Sequence, residues 1–279
     1  MKKNSLKALI SLLDDPDREI YEHVEQKILS MGEAVVPLLE EEWEKNPEEA
    51  VQKRIEELIE ALHFQSIRKD FRRWLESENE DLLKGLWITA RLNSPLLRLE
   101  SLSAKLSQMY HELWTFFSPS LTPFEQIKTL NHYLFNIQKF EANSRDFHSP
   151  SNSFIDRVLE EKKGNPISLC SIYMLLAQRF NMPVFGTNFP NLFLLQYRDE
   201  TKKKDFYINV FNRGIIFRKK DLEAYIEQLP VESSESFFEP CSALDIVRRN
   251  LANLKYAYSQ KNNLAKRDQV DELLRIVNR

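Results

Sequence analysis

Residues 169–180 run Leu-Cys-Ser-Ile-Tyr-Met-Leu-Leu-Ala-Gln-Arg-Phe, a stretch that is apolar on nearly every side of a helix. Such a helix is stable only when neighbours bury it on several faces, so the rest of the chain has to be built around it. Its start is encoded locally. Asn165 can cap the first turn with its side chain, and Pro166 suits the first helical position, where no N–H is required. Asn181-Met182-Pro183 ends it. Upstream, Phe154-Ile155 and Val158-Leu159 predict a short helix that runs out at Lys162-Lys163-Gly164. Downstream, residues 183–187 and 192–197 read as strands, and a charged hairpin over 198–205 leads to a third strand over 206–211. The turn Asn212-Arg213-Gly214 returns the chain to Ile215-Ile216-Phe217. One buried helix followed by a small antiparallel sheet predicts an α+β core inside a mainly helical chain.

The flanks read as helices. Leu6, Leu9, Ile10 and Leu13 recur at helical spacing, and Asp14-Asp15-Pro16 stops that helix and caps the next. Ile20, Val24 and Ile28 lead to Met31-Gly32, with glycine as the natural residue past a helix end. A third helix covers 34–43, and Asn46-Pro47-Glu48-Glu49 opens a fourth through Ile55, Leu58, Ile59 and Leu62. This order of Asp-Pro turn, Gly turn and Pro at a helix start resembles a HEAT-like repeat, which predicts a helical cap over 1–65. Residues 66–145 form a second helical region. It carries an aromatic stripe through Trp74, Trp87, Tyr110 and Trp114, a break at Ser118-Pro119, and a capping box at Thr122-Pro123-Phe124-Glu125. Residues 146–235 hold the α+β core, and 236–279 a closing helical segment.

Bulk composition excludes several classes. The 279 residues carry a formal net charge of -3, which supplies no global attraction to nucleic acid or an anionic membrane. The five glycines form neither a P-loop nor a dinucleotide fingerprint. Two cysteines, Cys170 and Cys241, are too few for a disulfide framework and suit a reducing compartment. No spacing of His with Cys, Asp or Glu predicts a metal site. No apolar run reaches the ~20 residues that a membrane span needs. The expectation is a cytoplasmic protein without cofactor or metal, with no nucleic acid and no membrane among its partners.

The segment 152–195, NSFIDRVLEEKKGNPISLCSIYMLLAQRFNMPVFGTNFPNLFLL, resembles the SirB1 family, the transglutaminase-like proteins of bacteria. FYINVFNRGIIFRKKDLEAYI and FEPCSALDIVRRNLANLKYAYSQ are similar to that family's next two blocks, so the likeness runs from about Asp81 to the C-terminus. The resemblance implies a papain-like core for 146–235, a family-type helical region for 66–145 and a shortened TPR-like pair at the end. It also implies three catalytic positions: a Cys at the start of the buried helix, a His on a strand and an orienting Asp. Here the first falls near Ser168. The family's P-G-H-F-L stands as Pro190-Asn191-Leu192-Phe193-Leu194, which puts Leu192 where a base belongs. Its D-P-F-N stands as Asn209-Val210-Phe211-Asn212, so an amide replaces the carboxylate. On a serine-protease template that last change alone costs about 10⁴ in rate.

Cys170 lies about five residues into the helix, beyond the reach of its dipole, and reads as an inert core thiol. Among the five histidines only His148 lies in the loop before the core, two residues from Asp146. A displaced hydrolase or acyltransferase set would need Ser168 or Cys170 served by His148. The leading expectation is a non-catalytic protein that binds another protein or a peptide, with Asn165, Ser168, Asn191, Asn209 and Asn212 around the old cleft. Lys202-Lys203-Lys204 reads as a solvated hairpin tip.

Overall fold

The computed structural model describes residues 3–13, 17–77, 81–118, 120–198, 205–230 and 234–278. The predicted stop at Asp14-Asp15-Pro16, the lysine tip at 202–204 and the Pro of the Ser118-Pro119 break lie outside them. Two compact units divide the chain, Met1–Arg73 and Trp74–Arg279.

The first unit is helical: α1 (Lys3–Ile10), α2 (Arg18–Ser30), α3 (Val36–Lys45) and α4 (Glu49–Leu75), the last reaching across the division. Asp17 caps α2 by accepting the Glu19 N–H. Gly32, at φ 74°, supplies the left-handed residue that turns the chain toward α3. Ile10, Leu13, Val24, Ile28, Leu39, Ile55, Leu58 and Leu62 form the buried core. The helical spacing read from the sequence puts each of them on an inward face. α4 passes without interruption through residue 65.

The second unit is mainly helical α+β. It opens with α5 (Leu82–Ala90), α6 (Leu99–Trp114) and α7 (Pro123–Asn131). Thr122 and Glu125 form the expected reciprocal capping box at the start of α7. A π-helical turn, His132–Ile137, extends α7 and buries Tyr133, Leu134 and Phe135. Strand β1 (Glu141–Ala142) pairs in parallel with β2 (Lys163–Gly164), with α8 (Ile155–Glu161) between them. That short ladder holds the chain in place as it enters α9 (Pro166–Arg179), whose residues are buried on nearly all sides.

Strands β3 (Val184–Phe189), β4 (Leu192–Tyr197), β5 (Phe206–Asn209) and β6 (Ile215–Phe217) follow as one antiparallel sheet in sequence order. β3 begins one residue later than predicted and ends two residues later, because Phe189 pairs with Leu192 across the tight Pro190-Asn191 turn. β5 is two residues shorter. Asn209 Oδ1 accepts the Asn212 N–H, and residues Val210–Asn212 wind into a 3₁₀ turn. Gly214 (φ 76°) follows, its Cα side closed by the Asn131 amide, so no Cβ fits there. After α10 (Lys219–Ile226) come α11 (Ala243–Gln260) and α12 (Leu264–Val277), a packed helix pair. α11 also packs on α5, on residues 150–153 and on α9.

Candidate functional site

The start of α9 is closed by its own sequence. Asn165 Oδ1 accepts the N–H groups of Ile167 and Ser168 at 2.9 and 3.0 Å. In return Ser168 Oγ accepts the Asn165 N–H at 3.1 Å and donates to the Asn165 carbonyl at 3.2 Å. A Cβ at Gly164 would lie 2.5 Å from that hydroxyl, so only glycine leaves room for it. Ser168 is therefore buried and engaged in the cap.

Two residues on, Cys170 is fully buried. Its Sγ donates to the Phe193 carbonyl at 3.7 Å, and the Val210 N–H points at it. Phe193 and Val210 are the chain neighbours of Leu192 and Asn209, so this thiol meets the sheet one residue away from each of those two positions. Burial pushes its pKa far up, and the opposing Val210 N–H is the weaker influence. The group stands as a neutral thiol.

Neither strand position offers proton chemistry. The Leu192 side chain packs with the cluster of Phe189, Leu194, Tyr207, Leu222, Ile226 and Phe238. Asn209 spends its carbonyl oxygen on the 3₁₀ turn. Asn191 is exposed at φ 60°, a left-handed position that asparagine tolerates, and Asn212 is exposed.

His148 lies in the loop beside the α9 cap. It is exposed, and its ring makes edge contacts with Phe147 and Tyr256 at 5.1 and 5.0 Å. Asp146 pairs with Lys261 at 3.3 Å. Among the described residues, no hydrogen bond joins His148 to Asp146, Ser168 or Cys170.

What the fold does bring together is a cavity of about 210 Å³ beside the α9 cap. Phe147, His148 and Tyr256 wall it, while Ser153 and Asn165 supply polar groups. Asn165 Nδ2 donates to Ser153 Oγ at 3.1 Å, and Asn250 Nδ2 donates to the Ser153 carbonyl at 3.0 Å. Of the asparagines expected around a cleft, Asn165 alone lines this one. α11 contributes Asn253, Tyr256 and Ala257, which sequence reasoning missed. It also missed Arg249, whose Nη1 donates to Asn188 Oδ1 at 2.6 Å and whose Nη2 donates to the Leu192 carbonyl at 3.0 Å. The guanidinium lies 5.4 Å from the Phe193 ring centre, and burial lowers its pKa. These contacts join segments 57 and 61 residues apart, and no local pattern marks them.

Among the described residues no group of three His, Cys, Asp or Glu is placed to hold a metal ion, and no helix is long and apolar enough to cross a membrane.

Residues 100–252 match the family model described as the transglutaminase-like superfamily. A UPF0162 protein of Xylella fastidiosa strain 9a5c is 27% identical over 165 residues, covering 57% of this chain and 58% of that protein. A UPF0162 protein of Vibrio cholerae is 33% identical over 87 residues, 31% of this chain and 32% of that one. F-box only protein 21 of Homo sapiens is 24% identical over 152 residues, 52% of this chain and 23% of that protein. The matches thus cover less than two thirds of these relatives' own length. No solved structure matches.

Proposed function

The chain belongs to the transglutaminase-like superfamily, and from that premise we propose that it acts without covalent catalysis, as a module that binds a peptide or protein segment at the cavity beside α9. The observation that carries this reading is the enclosure of Cys170. A thiol nucleophile needs access and a fraction of thiolate, and burial denies it both. The residues at the other two positions, Leu192 and Asn209, support the same reading, since leucine takes no proton and the amide is committed to a turn. The displaced hydrolase or acyltransferase set finds no support in the contacts of Ser168, His148 and Asp146 described above. The finer assignment, a SirB1-type chain with a HEAT-like cap and a TPR-like end that works in the cytoplasm without a cofactor, belongs to the same proposal.

The cavity suits the anchor of a binding surface. Phe147 and Tyr256 remain 45% and 51% exposed at its mouth, above a buried polar floor. Aromatic side chains of this kind bring a large apolar area at a low cost in conformational freedom. A peptide library selected on the full chain and counter-screened on Tyr256→Ala tests this. Selected peptides are expected to bind the variant about tenfold or more weakly, as for an interface anchor. Peptides that bind both equally, or an acyl adduct on Cys170, would overturn the reading.

A further inference from the structure

The helical unit Met1–Arg73 carries a groove of about 720 Å³ that shares no residue with the core site. This volume is of the size that holds a ligand or several side chains. Its floor is aliphatic, with Leu29 and Met31 at the end of α2 facing Leu62 of α4. Its rim is the last part of α4, where Arg68-Lys69-Asp70-Phe71-Arg72-Arg73 places four cations in six positions of a chain whose net charge is negative.

That cationic rim is only partly neutralised. Lys69 and Arg72 are exposed and have no ion-pair partner among the described residues. Arg73 has Asp70 of its own helix at 3.9 Å. The acidic residue across the groove, Glu33, is engaged by His63 Nδ1 at 2.9 Å and by Ser66 Oγ at 2.5 Å. The spacing compounds the effect, because Arg68 with Arg72 and Lys69 with Arg73 are both like-charged i,i+4 pairs, which destabilise a helix by themselves. An arrangement of that kind gains most from an anionic ligand.

The floor discriminates between anions. None of the lining residues is aromatic, so single-stranded nucleic acid would find no stacking platform. Aliphatic side chains below cations fit an amphipathic acidic segment. We propose that this groove binds an acidic, leucine-bearing segment of another protein, with its carboxylates on Lys69, Arg72 and Arg73 and an aliphatic side chain on Leu29 and Met31, above the buried Leu62. This inference is independent of the reading of the core.

Fluorescence anisotropy of a short fluorescein-labelled peptide alternating leucine with glutamate, titrated with the full chain at low salt, provides the test. The double variant Lys69→Glu, Arg72→Glu removes only exposed side chains, and its circular dichroism melt verifies folding. Binding is expected to weaken at least about tenfold in the variant, and also on raising salt from about 50 to about 300 mM, where screening shortens. No binding at low salt, equal binding by the variant, equal binding of a peptide with glutamine in place of glutamate, or tighter binding of a single-stranded RNA oligonucleotide would each overturn the proposal.

Discussion

Cys170 stands where α9 meets the sheet, and burial keeps it a neutral thiol. Its sulfur still meets the strands next to Leu192 and Asn209, yet no solvent reaches it. Cys241, the other thiol, is half-buried, and burial pushes it up to about 12. We expect iodoacetamide at pH 8 to leave Cys170 unmodified in the native chain and to alkylate it after unfolding in guanidinium, as read by peptide mass. Rapid native modification of Cys170 would show an open site. At this scale the sequence was informative at the start of α9, where Asn165 and Pro166 mark the cap and the first helical position. The part Ser168 plays in that cap was not legible, because the sequence does not show which way its hydroxyl turns. Arg249 was invisible, since its partners Asn188 and Leu192 come from another part of the chain.

Among the elements, α9 was the most legible because every signal for it is local. Asn165, Pro166 and the apolar run sit within one continuous stretch, and the helix begins where they place it. Asn165→Ala removes two capping bonds and leaves the buried Ser153 hydroxyl short of a partner. The expected loss is about 1–2 kcal/mol of unfolding free energy, measured by urea titration. A change under about 0.3 kcal/mol would mean that the cap does not hold α9. The four strands of the antiparallel sheet were legible in number and order, but not in length, and the short β1–β2 pair was not legible at all. β5 stops early because the Asn209 side chain turns the backbone, and β3 runs on because Phe189 finds a partner in Leu192. The π-helical turn after α7 has no signature in its residues. It follows from the burial of Tyr133, whose hydroxyl reaches Glu112 at 2.8 Å.

On the scale of the molecule, the mainly helical α+β class follows from periodicity alone, while the route of α11 does not. Its amphipathic pattern predicts a buried face but not that this face lies on α5, residues 150–153 and α9. The packing is close at Gly85, where a Cβ would stand 2.7 Å from Val247 Cγ2 and 2.8 Å from the Trp74 ring. Gly85→Ala is therefore expected to destabilise the chain by about 1–3 kcal/mol despite its better helix propensity, with a lower thermal midpoint. A raised midpoint would mean that α5 and α11 stand further apart. Because α11 supplies Asn253, Tyr256 and Ala257, the cavity beside α9 belongs to the assembled second unit and to no single segment of it.

The central claim is that this superfamily core operates without its chemistry. Turnover of a glutamine-donor peptide and of a p-nitrophenyl ester tests it most directly, with the wild-type chain beside Cys170→Ala and His148→Ala. The account predicts wild-type rates no higher than those of the variants and of buffer across pH 6–9. Turnover above that level, lost in Cys170→Ala or His148→Ala, would contradict it.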